Sequence, residues 1–304
     1  MDRIRSAVAS TIGDLNVIGG LGGFAGLLEL PAMKNPVLVS AADGVGTKVL
    51  IAEALGIYDT VGIDLVAMSV NDLLVTGARP LFFLDYLAVG KLEPEKAASL
   101  VEGVAEGCRQ SGCALLGGET AEMPGMYAPG EYDLAGFIVG FVEPDFRREE
   151  VRPGDLLVGL PASGLHTNGY SLARMVFEGV DLESVPEGLD RPLIDVLLEP
   201  HRSYLAEMRT FNWKAAAHVT GGGLTGNLPR ALPAGLAAEL DRGSWRVPPI
   251  FDVIQRRGEI SDADMMATFN MGLGMVLVTE AALPGFPVVG QVVEQTSEAR
   301  VRFR

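Results

Sequence analysis

The chain has 304 residues, 48% apolar and 21% charged, which is enough for one large domain or two ordinary ones and too apolar for disorder. Its formal net charge is −15 and no Lys/Arg stripe offsets it, which argues against nucleic acid and anionic membranes as partners. Any phosphate must then be held locally, by a metal ion, a lysine or backbone N–H groups at helix N-termini. Cys108 and Cys113 have neither CxxC nor metal-finger spacing and read as small buried residues. The start, MDRIRSAVAST, lacks an apolar signal core, and no apolar run reaches the roughly 18–20 residues of a membrane span. A soluble, cytoplasmic protein is expected.

PVLVSAADG at 36–44 predicts a buried strand ending in a turn, and LIAEALG at 50–56 predicts a helix. TVGIDLVAMSVNDLLVTGA at 60–78 has apolar residues at helical spacing and ends on Gly77. PLFFLDYLAV at 80–89 is a strand apolar on both faces, which implies cover on both sides. EPEKAASLVEGVAEGCRQSG at 93–112 is an amphipathic helix, acidic at its start, with Arg109 near its end. CALLGGE and YDLAGFIVGFVE follow as strands. The order βααβαββ predicts an α/β class.

The charged stretch EPDFRREEVRPGD at 143–155 closes on Pro153-Gly154 and marks a boundary, giving domains 1–146 and 147–304. In the second half DLLVGLPAS is a strand, NGYSLARMVFEG opens a helix, and WKAAAHVT is a strand running into the glycine turn GGGLTGNLPRAL. GMVLVTE, PVVGQVVE and ARVRFR read as three short strands. The expected fold is α/β (α+β) in two domains.

Three acidic turns carry the chemistry of the first half. DGVGTK places Asp43, Gly44, Gly46, Thr47 and Lys48 at a strand end: a metal-binding carboxylate, glycines that let backbone approach phosphate, and a counter-charge. The spacing is not a P-loop, and an ordinary Asx turn also accounts for it. VNDLL sets Asn71 and Asp72 in an apolar helix, with Asp64 two turns earlier on roughly the same face. Buried carboxylates there are costly unless paired or metal-bound. In ALLGGETAEMPGM, at 114–126, the apolar strand breaks on Gly117-Gly118 and presents Glu119 and Glu122. Carboxylates without histidine or cysteine suit Mg²⁺ bridged to phosphates.

The second half offers two polar glycine-rich turns entering helices, SGLHTNGYS at 163–171 and TGGGLTGN at 220–227, either of which suits an anion. His166 stands out beside Asn168 and Ser171, although packing accounts for a lone histidine too. His201 and His218 read as structural. No Ser-His-Asp or Cys-His arrangement is recognisable. The residues alone indicate a Mg²⁺- and phosphate-handling enzyme without a covalent nucleophile, and they leave its substrate open.

DGVGTK, GIDLVAMSVNDL, PLFFLDYLAVGKL, EGCRQSGCALLGGETAEMPGMY, GLHTNGYSLAR, HVTGGGLTGNLPR and TFNMGLGM together resemble, in order and over nearly the whole chain, the phosphoribosylformylglycinamidine cyclo-ligase (aminoimidazole ribonucleotide synthetase) family. The resemblance implies a homodimer whose first domains pair their sheets, and an ATP-dependent ring closure on a ribotide in purine biosynthesis. It implies Asp43, Asp72 and Glu119 as Mg²⁺ ligands, and Asp43, Gly44, Gly46, Thr47, Asp64, Asn71, Gly117 and Gly118 as the nucleotide site. It gives Lys48, Glu119 and His166 catalytic roles, Lys48 as a phosphate contact. It assigns the ribotide to Asn168, Ser171, Thr220, Gly221, Gly222 and Gly223. The chain departs from the family pattern in starting near the first helix, in Thr167 for a usual serine, in His201 for a usual threonine, and in a shortened final helix between Val278 and Gly290. Competing readings are a thiamine-phosphate kinase, which shares the acidic turns, and a catalytically dead binding homologue. A selenophosphate synthetase or hydrogenase-maturation protein would need cysteines that are absent from the expected positions.

Overall fold

The computed structural model describes residues 2–18, 25–30, 32–33, 35–142 and 149–304. Residues 143–148 of the expected boundary stretch lie outside that set. The chain divides into two compact units, Met1–Phe146 and Arg147–Arg304.

The first unit runs α1 (Asp2–Ala9), β1 (Val17–Ile18), β2 (Leu27–Leu28), β3 (Val37–Gly44), α2 (Lys48–Leu55), α3 (Asp59–Leu74), β4 (Arg79–Val89), α4 (Pro94–Ser111), β5 (Ala114–Glu122) and β6 (Tyr132–Val142). β1 and β2 form a two-stranded antiparallel ribbon. The main sheet has the order β3-β6-β4-β5. It is antiparallel except for β4 and β5, whose parallel pairing needs a crossover, and α4 supplies it. Pro94 starts α4 and Gly112, in the left-handed region at φ 62°, ends it.

Helix α3 lies against β3, β4 and β6, and α4 against β4 and β5, all on one face of the sheet. Alternation along the strands sorts the side chains between its two faces. Phe83, Leu87 and Val89 pair with Ile138, Leu134 and Tyr132 and are buried under the helices. Phe82, Leu84 and Tyr86 pair with Val139, Phe137 and Ala135 on the other face, where Tyr86 is 39% and Phe137 40% exposed. Among the described residues of the first unit, the strand predicted to be covered on both sides is covered by helices on one.

β5 corrects the sequence expectation. The strand does not break at Gly117-Gly118 but continues to Glu122, in unbroken register with β4 from Leu84 to Val89. A ladder uses only main-chain N–H and C=O groups, which glycine retains.

The second unit runs β7 (Leu156–Pro161), α5 (Tyr170–Val176), α6 (Leu193–Leu197), α7 (Leu205–Thr210), β8 (Ala215–His218), α8 (Gly223–Ala231), β9 (Leu236–Leu240), α9 (Pro249–Gly258), α10 (Asp262–Thr268), β10 (Leu273–Thr279), β11 (Val288–Glu294) and β12 (Val301–Phe303). Its sheet has the order β12-β9-β11-β7-β10-β8, antiparallel except where β12 joins β9. β10 is buried along its whole length. Leu157, Val276 and Val289 from the sheet pack with Leu224 and Leu228 of α8 in the core. No helix among the described residues is long and apolar enough to cross a membrane.

Phe83 anchors the first unit. It is fully buried, and its ring fills the space above Gly136, where an added Cβ would lie 2.1 Å from it. Phe83→Ala is expected to destabilise that unit by about 3–5 kcal/mol in denaturant titration. A loss below about 1 kcal/mol would contradict this packing.

Candidate functional site

Four residues stand side by side across the first unit's sheet: Asp43 on β3, Gly136 on β6, Asp85 on β4 and Gly118 on β5. They share the face that α3 and α4 pack against, where Gly136 is buried, Asp43 and Asp85 are partly buried and Gly118 is exposed. Asp43 Oδ1 accepts the Gly44 N–H at 2.8 Å, and the chain then turns through Val45 and Gly46 into α2, with Thr47 at its N-cap. The Lys48 ammonium lies 2.9 Å from one carboxylate oxygen of Asp64 and 2.7 Å from the other, and both side chains are fully buried. The buried carboxylate of α3 therefore has an internal counter-ion in Lys48, the residue expected as a phosphate contact. Asn71 is buried further along α3, and Asp72 is partly buried.

Glu119 lies elsewhere. It pairs with Tyr86 and so belongs to the open face, where it is exposed and its Oε1 accepts the Thr120 N–H at 2.8 Å. The sheet therefore separates Glu119 from Asp43 and from α3, which carries Asp72. The expected metal set of Asp43, Asp72 and Glu119 does not converge within one chain. The cause is that β5 stays a strand, so that Gly118 and Glu119 face opposite sides. Glu122 ties the end of β5 to the turn after β4, its Oε1 accepting the Leu92 N–H at 2.9 Å.

Asp85 is a carboxylate that reading the motifs missed. Burial raises its pKa from the ordinary carboxylate value to about 6. A Cβ on Gly118 would lie 2.2 Å from its Oδ1, so only glycine fits beside it. The available signal was an acid in the middle of the apolar strand FFLDYL. Cys108 and Cys113 are buried free thiols, and burial, then Cys113 itself, pushes the Cys108 thiol upward, away from reactive thiolate.

In the second unit, the turn after β7 is held at many points. The Ser163 hydroxyl donates to Pro200 O at 2.6 Å, and Asn270 Nδ2 donates to Gly164 O at 2.9 Å. His166 adopts φ 62°, uncommon for a side-chain-bearing residue, and its Nε2 accepts the Ser163 N–H at 3.1 Å. Ser171 stands exposed in the first turn of α5. The second turn, Thr220 to Gly223, enters α8. Asn227 Nδ2 gathers its carbonyls, donating to Thr220 O, Gly221 O and Gly223 O at 3.3, 3.2 and 2.9 Å. Gly223 takes φ 58°, and a Cβ there would lie 2.0 Å from Met266 O. A Cβ on Gly221 would lie 3.4 Å from Asn168 Oδ1, so the two turns are neighbours.

Beneath them sit three buried histidines. The His166 ring stacks on His201 with centroids 3.9 Å apart and planes at 21°. His201 Nε2 is 3.2 Å from His218 Nε2, and its Nδ1 is 3.3 Å from Thr167 Oγ1. Sequence reading set His201 and His218 apart from His166, whereas the fold gathers all three. Among the described residues they form the one group of His, Cys, Asp or Glu close enough together to share a metal ion.

Residues 22–142 match the family model described as AIR synthase related protein, N-terminal domain, and residues 152–299 match its C-terminal counterpart. The chain is 57% identical over 289 residues to a phosphoribosylformylglycinamidine cyclo-ligase of Myxococcus xanthus, covering 91% of this chain and 84% of that one. It is 50% identical over 296 residues to the enzyme so named from Geobacillus thermodenitrificans, covering 94% and 85%. Among solved structures, a thiamine-monophosphate kinase from Stenotrophomonas maltophilia aligns with a TM-score of 0.68 at 22% identity, covering 99% and 94%. A hydrogenase maturation protein from E. coli aligns at 0.66 and 16%, covering 99% and 93%. These two likenesses concern the fold.

Asp85 makes a pH dependence calculable in sign. Its folded pKa lies above the unfolded value, so between about pH 4 and 6 the folded state holds more protons, and stability falls as pH rises through that window. Asp85→Asn is not subject to that loss. Its stability relative to the native chain is expected to rise by on the order of 1–3 kcal/mol between pH 4 and 7, read by denaturant titration at each pH. A difference that stays constant across the range would contradict the buried-carboxylate account.

Proposed function

Because the chain belongs to the phosphoribosylformylglycinamidine cyclo-ligase family, we propose a division of that enzyme's chemistry between its two units. The chain is an ATP-dependent ligase that cyclises formylglycinamidine ribonucleotide to aminoimidazole ribonucleotide, releasing ADP and phosphate, in purine biosynthesis. Phosphoryl transfer to the formamide oxygen converts it into a leaving group. The amidine nitrogen then forms the new C–N bond as the C–O bond to phosphate breaks, and one proton is released.

In this reading the first unit holds the nucleotide. Asp43 and Asp72 supply oxygen donors, Gly44, Gly46 and Thr47 offer close backbone at the N-terminus of α2, and Asn71, Gly117 and Gly118 complete the surroundings. An oxygen-only donor set fits Mg²⁺, which when bound would neutralise phosphate charge. Lys48 and Asp64 act as a positioning pair that fastens the start of α2 to α3. The second unit holds the ribotide: Thr220 to Gly223 at the start of α8 take its phosphate, with Asn168 and Ser171 alongside. His166 belongs to that end, since its Nε2 is engaged by Ser163 and it is not placed to accept a proton there.

The observation that carries the rest is the division of carboxylates by the sheet. A second copy covering the open face at Phe82, Leu84, Tyr86 and Phe137 would bury exposed apolar surface. Glu119 would then serve the nucleotide site of the other chain. A cytoplasmic homodimer is the proposed state, and the charge of −15 speaks against nucleic acid or anionic membrane as a partner. A kinase reading rests on fold likeness alone and is the weaker one.

Asp72→Asn and Glu119→Gln are each expected to lower turnover about tenfold or more, or about 1.4 kcal/mol. Unfolded together and refolded as a mixture, the two variants are expected to recover about a quarter of native activity, because random pairing makes half the dimers mixed and each of these has one intact site. No recovery would place Glu119 in the site of its own chain or outside any site.

A further inference from the structure

His166, His201 and His218 are each 4% exposed or less and bring their nitrogens within 4.8 Å of one another, which raises a choice between a metal centre and a hydrogen-bonded strut. Two observations decide it. The Ser163 N–H can only donate, so His166 Nε2 must accept and Nδ1 must carry the proton, which leaves that ring no lone pair for a cation. The rings of His166 and His201 are also stacked at 21°, so their in-plane lone pairs run side by side and do not converge. By contrast, both ring nitrogens of His201 lie at hydrogen-bond distance from a polar atom. One nitrogen meets His218 Nε2 at 3.2 Å and the other meets Thr167 Oγ1 at 3.3 Å.

The surroundings leave this arrangement no slack. Tyr204 donates its hydroxyl to Pro161 O at 2.9 Å beside the stack. A Cβ on Gly274 would lie 2.0 Å from that hydroxyl and 2.4 Å from His166 Cε1. Thr167 precedes Asn168, and His218 ends β8 just before Thr220. His201 thus bonds with both the approach to Asn168 and the strand that leads to the glycine turn.

We propose that His201 is a positioning residue for the cyclisation: a hydrogen-bonded strut between Thr167 and His218 that holds the Asn168 turn in register with the Thr220–Gly223 turn. The proposal rests on the reading that these two turns receive the ribotide. It assigns His201 no contact with substrate, so its effect should reach catalysis through ribotide binding and not through ATP.

Steady-state kinetics of the 304-residue chain tests this. His201→Ala is expected to raise KM for formylglycinamidine ribonucleotide about tenfold while KM for ATP stays within about twofold. His201→Asn keeps a polar atom near Nδ1 and His201→Gln one near Nε2, so each is expected to restore part of the loss. These two also serve if the alanine variant does not fold. Thr167→Val should raise the same KM, and the double variant with His201→Gln should be no worse than the poorer single one. Equal rises in both KM values, or losses that simply add, would overturn the strut. Zinc retained at one equivalent per chain after dialysis, and lost in His201→Ala, would overturn it in favour of a metal centre. Asn168→Ala separates the two levels. A ribotide KM raised by Asn168→Ala but not by His201→Ala overturns this inference alone. No effect from either overturns the reading beneath it.

Discussion

A β-strand turns successive side chains to opposite faces, and the first unit depends on that alternation. One face of its four-stranded sheet is filled by α3 and α4, and the other carries Tyr86 and Phe137 exposed beside the half-buried Phe82 and Leu84. The same rule distributes the acids. Asp43 and Asp85 share the covered face, and Glu119 takes the open one beside Tyr86. Bringing Glu119 across would need a slip of one residue, which would also turn Gly118 away from Asp85. The proposed second copy meets two requirements at once: it covers apolar surface and supplies the missing carboxylate.

Burial also determines what the charged groups can do. Lys48 and Asp64 are fully enclosed and paired, an arrangement in which losing either partner strands a charge. Such a pair is suited to holding α2 and α3 together and poorly suited to swinging out towards phosphate. Asp85 has no such cation beside it in the sheet row, and its proton affinity rises instead. In the second unit an amide and an imidazole do the holding at the two turns. Asn227 collects the carbonyls of one turn and His201 bridges to the other, so the turns are positioned by hydrogen bonds and not by ion pairs.

Much of this was legible in the amino-acid order. The βααβαββ series of the first unit emerges as read, because its strands are apolar runs and its helices have clear periodicity and a Pro–Gly frame such as Pro94 and Gly112 around α4. The glycine turns before α5 and α8 were legible for the same reason. The continuation of β5 was not, since GGETAE carries the composition of a turn and its pairing comes from β4. β9, with Ala237, Ala238 and Glu239, has weak strand formers and takes its register from β11. Nor could spacing show that Glu119 and Asp43 face apart, or that His201 and His218, 17 residues from each other, meet under His166. Those facts depend on partners distant in sequence.

In the proposed dimer the open sheet face joins two chains, and the nucleotide site depends on that junction. Phe137→Asp tests it directly, because it places a charge on the face opposite Leu84 without touching Asp43, Asp72 or Glu119. Sedimentation velocity and formylglycinamidine-ribonucleotide-dependent ADP release, measured on the same samples, are expected to show a dimer with activity for the native chain. For the variant they should show a folded monomer with activity reduced about tenfold or more. A native chain that sediments as a monomer, or a monomeric variant with full turnover, would contradict the account.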